Sequence, residues 1–284
     1  MSIEDVIARS YSDLSAKLRE AADYVALHPI DVATRSLRAV STSSGVSPAT
    51  YSRLARALDF DSYEDLRELC RKNVGRRAKT FSEKAGMLRS SDQSITSILE
   101  RQMAACISNI AQLRELETSA KLDQAVEALQ GARNVILFGA FGSTGIVEYM
   151  SYLANYFSTN WTLAGRMGAS LGSALASIGK GDVLLVVTKT PYAKRAILAA
   201  EIARKEGATT IVITDDHSCP ALKHADINFI IPSDSPQFFS SYAATLVLME
   251  TLIAMLVARS SDDTSERIRE VELRNKGLGE FWSD

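Results

Sequence analysis

Residues 134–147, NVILFGAFGSTGIV, constrain the fold more than any other stretch of this chain. Val135, Ile136, Leu137 and Phe138 form the unbroken apolar run of a strand with both faces buried, and such strands belong to parallel sheets covered by helices. The run breaks at Gly139, Gly142, Ser143, Thr144 and Gly145, after which apolar residues return at helical spacing. The order is strand, small-residue turn, helix. Glycines let backbone approach a ligand, and a helix start presents N–H groups at the positive end of its dipole, so the turn is suited to holding an anion. Ser143 and Thr144 add two hydroxyls. A βα turn that only packs is the competing reading of a glycine-rich stretch.

The chain beyond this turn repeats the alternation. The spacing predicts a helix over 144–157, strand 161–163, helix 170–178, strand 183–187, helix 191–206, strand 209–213, a short helix 220–224, strand 227–231, and closing helices over 237–259 and 264–276. Counting Val135–Phe138, that is a five-stranded parallel sheet with helices on both faces. Ligands of such sheets lie at the carboxyl ends of the strands, where 139–144 and 188–192 both fall.

The first third is different. Leu14, Leu18, Ala22, Val25 and Ala26 share a helix face, and the helix must stop at His28 before Pro29. Residues 36–58 then read as helix, tight turn, helix. Leu37 and Val40 mark the first helix, Gly45 is placed to take the left-handed conformation that ends it, and Ser47 is placed to cap a second helix opening on Pro48. Leu54, Ala55 and Leu58 can face inward. That leaves Pro48, Ala49, Thr50, Ser52, Arg53 and Arg56 to project outward, with Tyr51 at the border. Asp61 and Glu64 stand at capping-box spacing for a further helix.

The overall charge of -2 predicts no affinity for nucleic acid in bulk. The charge is, however, placed: Arg35, Arg38, Arg53 and Arg56 fall in a stretch with no acid, and Arg71, Lys72, Arg76, Arg77 and Lys79 follow the next helix. Hydroxyls and arginines at the start of an exposed helix are what major-groove docking requires. A helical hairpin serving structure alone is the bland alternative.

The run GVSPATYSRLARALDFDSYEDLR resembles the end of the helix-turn-helix domain of RpiR/MurR-type bacterial transcriptional regulators, which join that domain to a sugar-isomerase (SIS) domain. The resemblance covers nearly the whole chain. It implies an all-α helix-turn-helix domain followed by an α/β SIS domain with a five-stranded parallel sheet flanked by helices, a recognition helix over 47–58, and DNA contacts from Ser47, Thr50, Tyr51, Arg53 and Arg56, which Arg38 of the same acid-free stretch is expected to join. It also implies a ligand loop containing Gly142, Ser143 and Thr144, and a second loop reading Ser-x-Ser-Gly-x-Thr that holds a sugar phosphate. This chain has Thr188-Lys189-Thr190-Pro191-Tyr192-Ala193 there. Two hydroxyls survive as threonines, but Pro191 offers no N–H and Ala193 no hydroxyl. Thr190 reads as a helix cap before Pro191. With Lys189, Lys194, Arg195 and Arg166 nearby in sequence, the expected effector is a small anion held by Gly142, Ser143, Thr144, Arg166, Thr188, Lys189 and Thr190. A carboxylate or sulfonate suits these fewer donors better than the family's sugar phosphate.

Other classes are weighed against this. A dinucleotide site lacks the acidic residue after the second strand, where Ala164-Gly165-Arg166 stands instead. A sugar-phosphate isomerase is the main rival, and Glu148, His217 and His224 are the bases it could use. All three also read as ordinary helix and turn residues, so no catalytic residue is assigned. Asp215, Asp216, His217, Cys219 and His224 lack metal-site spacing, so neither metal nor cofactor is expected. A DNA-bound architectural protein without a ligand would carry more positive charge.

Three cysteines at wide spacing suit a reducing cytoplasm, and MSIEDVIARS lacks a signal-peptide pattern. The longest apolar segment, 243–258, contains Glu250 and reads as a buried helix, so no membrane partner is expected. The expected organisation is a DNA-binding domain over 1–77, a linker and connecting helix over 78–117 with a hinge over 77–94, an effector domain over 118–260 and a helical tail over 261–284. The long stripe of Ile95, Ile98, Leu99, Met103, Ile107, Ile110, Leu113 and Leu116 is expected to pack into a core, with part of it free to pair with a second subunit. Expected partners are double-stranded operator DNA and a second copy, as homodimer or larger homo-oligomer.

Overall fold

The computed structural model describes residues 3–74, 80–91, 94–113, 119–166 and 170–282. The chain divides into two units, Met1–Gly86 and Met87–Asp284.

The first unit is helical: α1 (Ile3–Ser10), α2 (Ala16–Leu27), α3 (Pro29–Thr34), α4 (Leu37–Ser44), α5 (Pro48–Ala57), α6 (Tyr63–Val74) and the start of α7 (Phe81–Ser90). Each end of the α4–α5 turn has a local cause. The Ser36 hydroxyl accepts from the Ala39 N–H at 3.3 Å, Gly45 adopts φ 72° after α4, and the Ser47 hydroxyl accepts from the Thr50 N–H at 3.3 Å to open α5. The core gathers Ile3, Val25, Val40, Tyr51, Leu54 and Leu66, all fully buried, with Tyr51 edge-on to Tyr63 at 5.9 Å between ring centroids. Two expectations shift. The box opening α6 is Ser62–Asp65 in place of Asp61–Glu64, one residue on, because Ser62 Oγ donates to Asp65 at 2.6 Å while accepting from the Asp65 N–H. The stretch read as a hinge contains α7, opened by a Thr80–Glu83 box in which the Thr80 N–H donates to Glu83 at 2.7 Å and the Glu83 N–H donates to Thr80 Oγ1 at 3.2 Å. Residues 77–79 and 92–93 of that stretch lie outside the described residues.

The second unit holds the rest of α7, α8 (Ile95–Gln112), α9 (Ser119–Gln130), β1 (Val135–Gly139), α10 (Ser143–Phe157), β2 (Trp161–Leu163), α11 (Leu171–Leu175), β3 (Val183–Val187), α12 (Lys194–Lys205), β4 (Thr209–Thr214), β5 (Ile227–Ile230), α13 (Ala243–Ala258) and α14 (Asp262–Gly277). The five strands are all parallel in the order β2-β1-β3-β4-β5. Alternation along β1 divides the interior: Val135 and Leu137 pack with Met150, Leu185, Ile213 and Leu252 on one face, Ile136 and Phe138 with Leu184, Val186, Ala196 and Ala199 on the other. The strand order reverses between β1 and β3, which opens a crevice at their carboxyl ends. Gly139 is obligatory there, because a Cβ on it would stand 2.5 Å from the Ser143 carbonyl oxygen.

At the opposite end of β3 the buried Asp182 receives Arg133 Nε at 2.9 Å, Arg133 Nη2 at 2.6 Å, Asn134 Nδ2 at 3.1 Å and the Gly179 N–H at 3.0 Å. The Arg133 bonds above all hold its carboxyl down at about 2.

Three helices depart from expectation. α12 starts at Lys194 with Ala193 at its cap, so Thr190 caps nothing; the Thr190–Pro191 bond is cis. α13 starts at Ala243, and residues 237–242, expected as the start of that helix, belong to the loop over 231–242. The stripe on α8 is largely exposed within the chain, Ile95 at 86% and Ile107 at 63%, whereas Asn109 on another face is fully buried; Leu116 lies outside the described residues. Among the described residues no single helix is long and apolar enough to cross a membrane.

Candidate functional site

In the first unit Ser47, Arg53 and Arg56 are exposed on α5, and Arg38 is exposed on α4. Arg53 is held along the helix by its Nε bond to the Ala49 carbonyl at 3.3 Å. Two expected contacts are corrected. Tyr51 is fully buried, and burial pushes its phenol pKa up; its ring belongs to the core and cannot meet a duplex in this fold. Thr50 is 7% exposed, its hydroxyl 2.8 Å from Ser47 Oγ, so it completes the cap. The second basic run is partly neutralised, Arg71 pairing with Glu64 at 3.3 Å and Glu68 at 3.5 Å; Arg76, Arg77 and Lys79 lie outside the described residues.

In the second unit the crevice brings together the turn after β1, the loop after β3, the end of β4 and the loop before α13. Gly142 caps α10. Ser143 is buried, its Oγ 2.9 Å from Tyr242 Oη, and a Cβ added to Gly142 would meet that same phenol oxygen at 3.3 Å. Thr144 Oγ1 donates to the Gly139 carbonyl at 3.3 Å. Thr188 is buried, its N–H donating to the Ile213 carbonyl and its Oγ1 accepting from the Ala193 N–H at 3.3 Å. Lys189 is 5% exposed: its Nζ donates to the Ser241 carbonyl at 2.9 Å and stands 4.7 Å over the Tyr242 ring. Burial draws that amine down to about 8, while Asp215 pulls the other way. Asp215, which follows β4, receives the Thr190 N–H at 3.0 and 3.2 Å, Thr190 Oγ1 at 3.3 Å and Ser233 Oγ at 3.2 Å; burial raises its pKa against those donors and Lys189.

Arg166 is exposed and pairs with Glu148 at 3.3 Å, which also occupies one of the bases an isomerase would need. His217 is exposed in the loop after β4. The residues missing from the expected set are Asp215 as a site group, Ser241 and Tyr242. The loop that carries the last two is tied to α8: Asn109 Nδ2 donates to the Asp234 carbonyl at 2.8 Å, Asn109 Oδ1 accepts from the Asp234 N–H at 3.2 Å, and Cys106 Sγ lies 3.7 Å from Ser241 Oγ.

With this geometry in place, comparison with known proteins is informative. The SIS domain profile matches residues 128–255. An uncharacterized HTH-type transcriptional regulator from Caldanaerobacter subterraneus is 25% identical, over 95% of this chain and 96% of its own length. Among solved structures, the sugar isomerase domain of an RpiR transcription factor from Sphaerobacter thermophilus covers 62% of this chain and 98% of its own, at 21% identity and TM-score 0.58. The Vibrio vulnificus NanR protein complexed with ManNAc-6P covers 96% and 98%, at 18% identity and TM-score 0.59.

Proposed function

We propose, since this chain belongs to the RpiR/MurR family of transcriptional regulators that join a helix-turn-helix to a SIS domain, that it is a cytoplasmic, homo-oligomeric, non-catalytic sensor whose DNA affinity is set by a small anionic metabolite. The observation that carries the reading is the pairing of two sites of different chemistry in one chain. Exposed Arg38, Ser47, Arg53 and Arg56 flank a capped helix that can enter a major groove, and Lys189 lies at the switch point of a parallel sheet.

An effector alters DNA binding only through unequal affinity for two arrangements of the protein. Lys189 supplies a route. An anion that takes its ammonium competes with the Ser241 carbonyl and the Tyr242 ring, and the loop bearing both is bonded to α8 through Asn109 and Asp234. Gel shifts with DNA from upstream of the gene test the first site, and the same shifts with added metabolites test the second. Turnover of a sugar phosphate without any retarded DNA would favour the isomerase.

A further inference from the structure

Several of the donors that a phosphate would need at the loop after β3 are already committed inside the protein. Of residues 188–193, Thr188 gives its N–H to Ile213, Thr190 gives both N–H and hydroxyl to Asp215, Pro191 has no N–H, and Ala193 gives its N–H to Thr188. The first turn is similar: the Ser143 and Thr144 N–H groups bond to the Ala140 and Phe141 carbonyls, and the Ser143 hydroxyl meets Tyr242. Asp215 is thus a built-in carboxylate occupying the donors of its own anion cradle. Within this bonded cluster the charged groups are one ammonium, Lys189, and one carboxylate, Asp215. Two of the three ammonium hydrogens remain after the bond to Ser241.

We infer that Asp215 sets the ligand class of this site. It turns away phosphate dianions and admits a carboxylate that also carries a hydroxyl or ammonium group, the carboxylate meeting Lys189 and the donor meeting Asp215. The inference rests on the reading of this crevice as the effector site. The repulsive half follows from like charge: a phosphate reaching Thr190 must displace a carboxylate or lie against it in a poorly solvated cleft. The attractive half follows from complementarity, since a hydroxy or amino acid offers one negative group and one donor to a cleft that presents one positive group and one acceptor. A neutral sugar satisfies only Asp215, and a simple carboxylate only Lys189.

The test is calorimetric titration of the full-length wild type, Asp215→Asn and Asp215→Ser, each checked for an intact melt, with inorganic phosphate, glucose 6-phosphate, acetate, glycerate and serine. The wild type should bind glycerate or serine at least about tenfold tighter than acetate or either phosphate, and Asp215→Asn should gain about tenfold or more for the phosphates while losing the preference for hydroxy or amino acids. Phosphate gained by the variants alone supports the exclusion. Glucose 6-phosphate binding best to the wild type, or phosphate affinity unmoved by the substitutions, overturns the assignment of Asp215 and leaves the effector site standing. Silence from all three folded proteins across the panel overturns the effector site itself, and the inference with it.

Discussion

Replacing Arg53 by alanine separates DNA contact from folding. The side chain is exposed on α5 and bonds only locally where described, Nε to the Ala49 carbonyl at 3.3 Å. Arginine and alanine are both good helix formers, so the substitution should change stability by no more than about 0.5 kcal/mol. If the guanidinium meets guanine or phosphate, its loss costs about 1–3 kcal/mol, a fall of about 5- to 140-fold in affinity. Fluorescence anisotropy on labelled fragments from upstream of the gene reads the change, and repeating it across salt concentrations separates a phosphate contact, which lowers the salt slope by about 1, from a base contact. Tyr51→Ala is the contrasting control. Its ring is fully buried against Tyr63, so truncation should cost about 3–5 kcal/mol of folding and abolish DNA binding by melting the unit. An Arg53→Ala protein that melts normally and binds every fragment within about twofold of wild type would refute the assignment of α5 as the reading helix.

Ser143→Ala removes the hydroxyl that meets Tyr242 at 2.9 Å; it should cost about 0.5–1.5 kcal/mol in a thermal melt, keep ligand-free DNA binding and lose the response to glycerate or serine, whichever binds. For Lys189, whose amine burial holds near 8 against an ordinary 10.5, carboxylate affinity should persist below pH 8 and fall above it as the charge is lost, which titrations at pH 7 and pH 9 will show. Because the unfolded chain binds the extra proton between those two values, this residue's own effect is that stability rises with pH across that window, and Lys189→Met should flatten the rise. Asp182→Ala strands Asn134 and the Gly179 N–H at the foot of β3 and should cost about 3–5 kcal/mol in urea unfolding. The native Asp182 contributes fully above its ordinary 3.8 and loses that contribution as pH falls towards about 2, so wild type and Asp182→Ala should converge in acid.

The fold was legible because its signals are local. Val135–Phe138 announces a doubly buried strand, Gly45 and Ser47 punctuate the α4–α5 turn, and parallel order follows from the alternation of strands and helices. The site was legible only in part, for reasons that differ by residue. Tyr51 was assigned to the border of a helix from spacing alone, but an aromatic ring of that size fills whatever core lies within reach, here the face of Tyr63. Along α8, periodicity identified which side chains share a face, yet the face that finds a partner is the one carrying Asn109, because the loop before α13 offers it the unpaired backbone of Asp234. Only the end of that loop, residues 237–242, read as helix, a polar start followed by a long apolar run.

Asp215 is the most instructive residue, since the information needed to place it lay in the strand alignment. It was weighed with His217 and Cys219 as a metal ligand and set aside. Strands β3 and β4 pair in register with Val187 opposite Ile213, which puts Thr188 level with Thr214 and Lys189 level with Asp215, just where both strands end at the crevice. Two opposite charges two rows past the last apolar pair of adjacent parallel strands face the same cleft and lose their water together, so each must be answered by the other, by the loops or by a ligand.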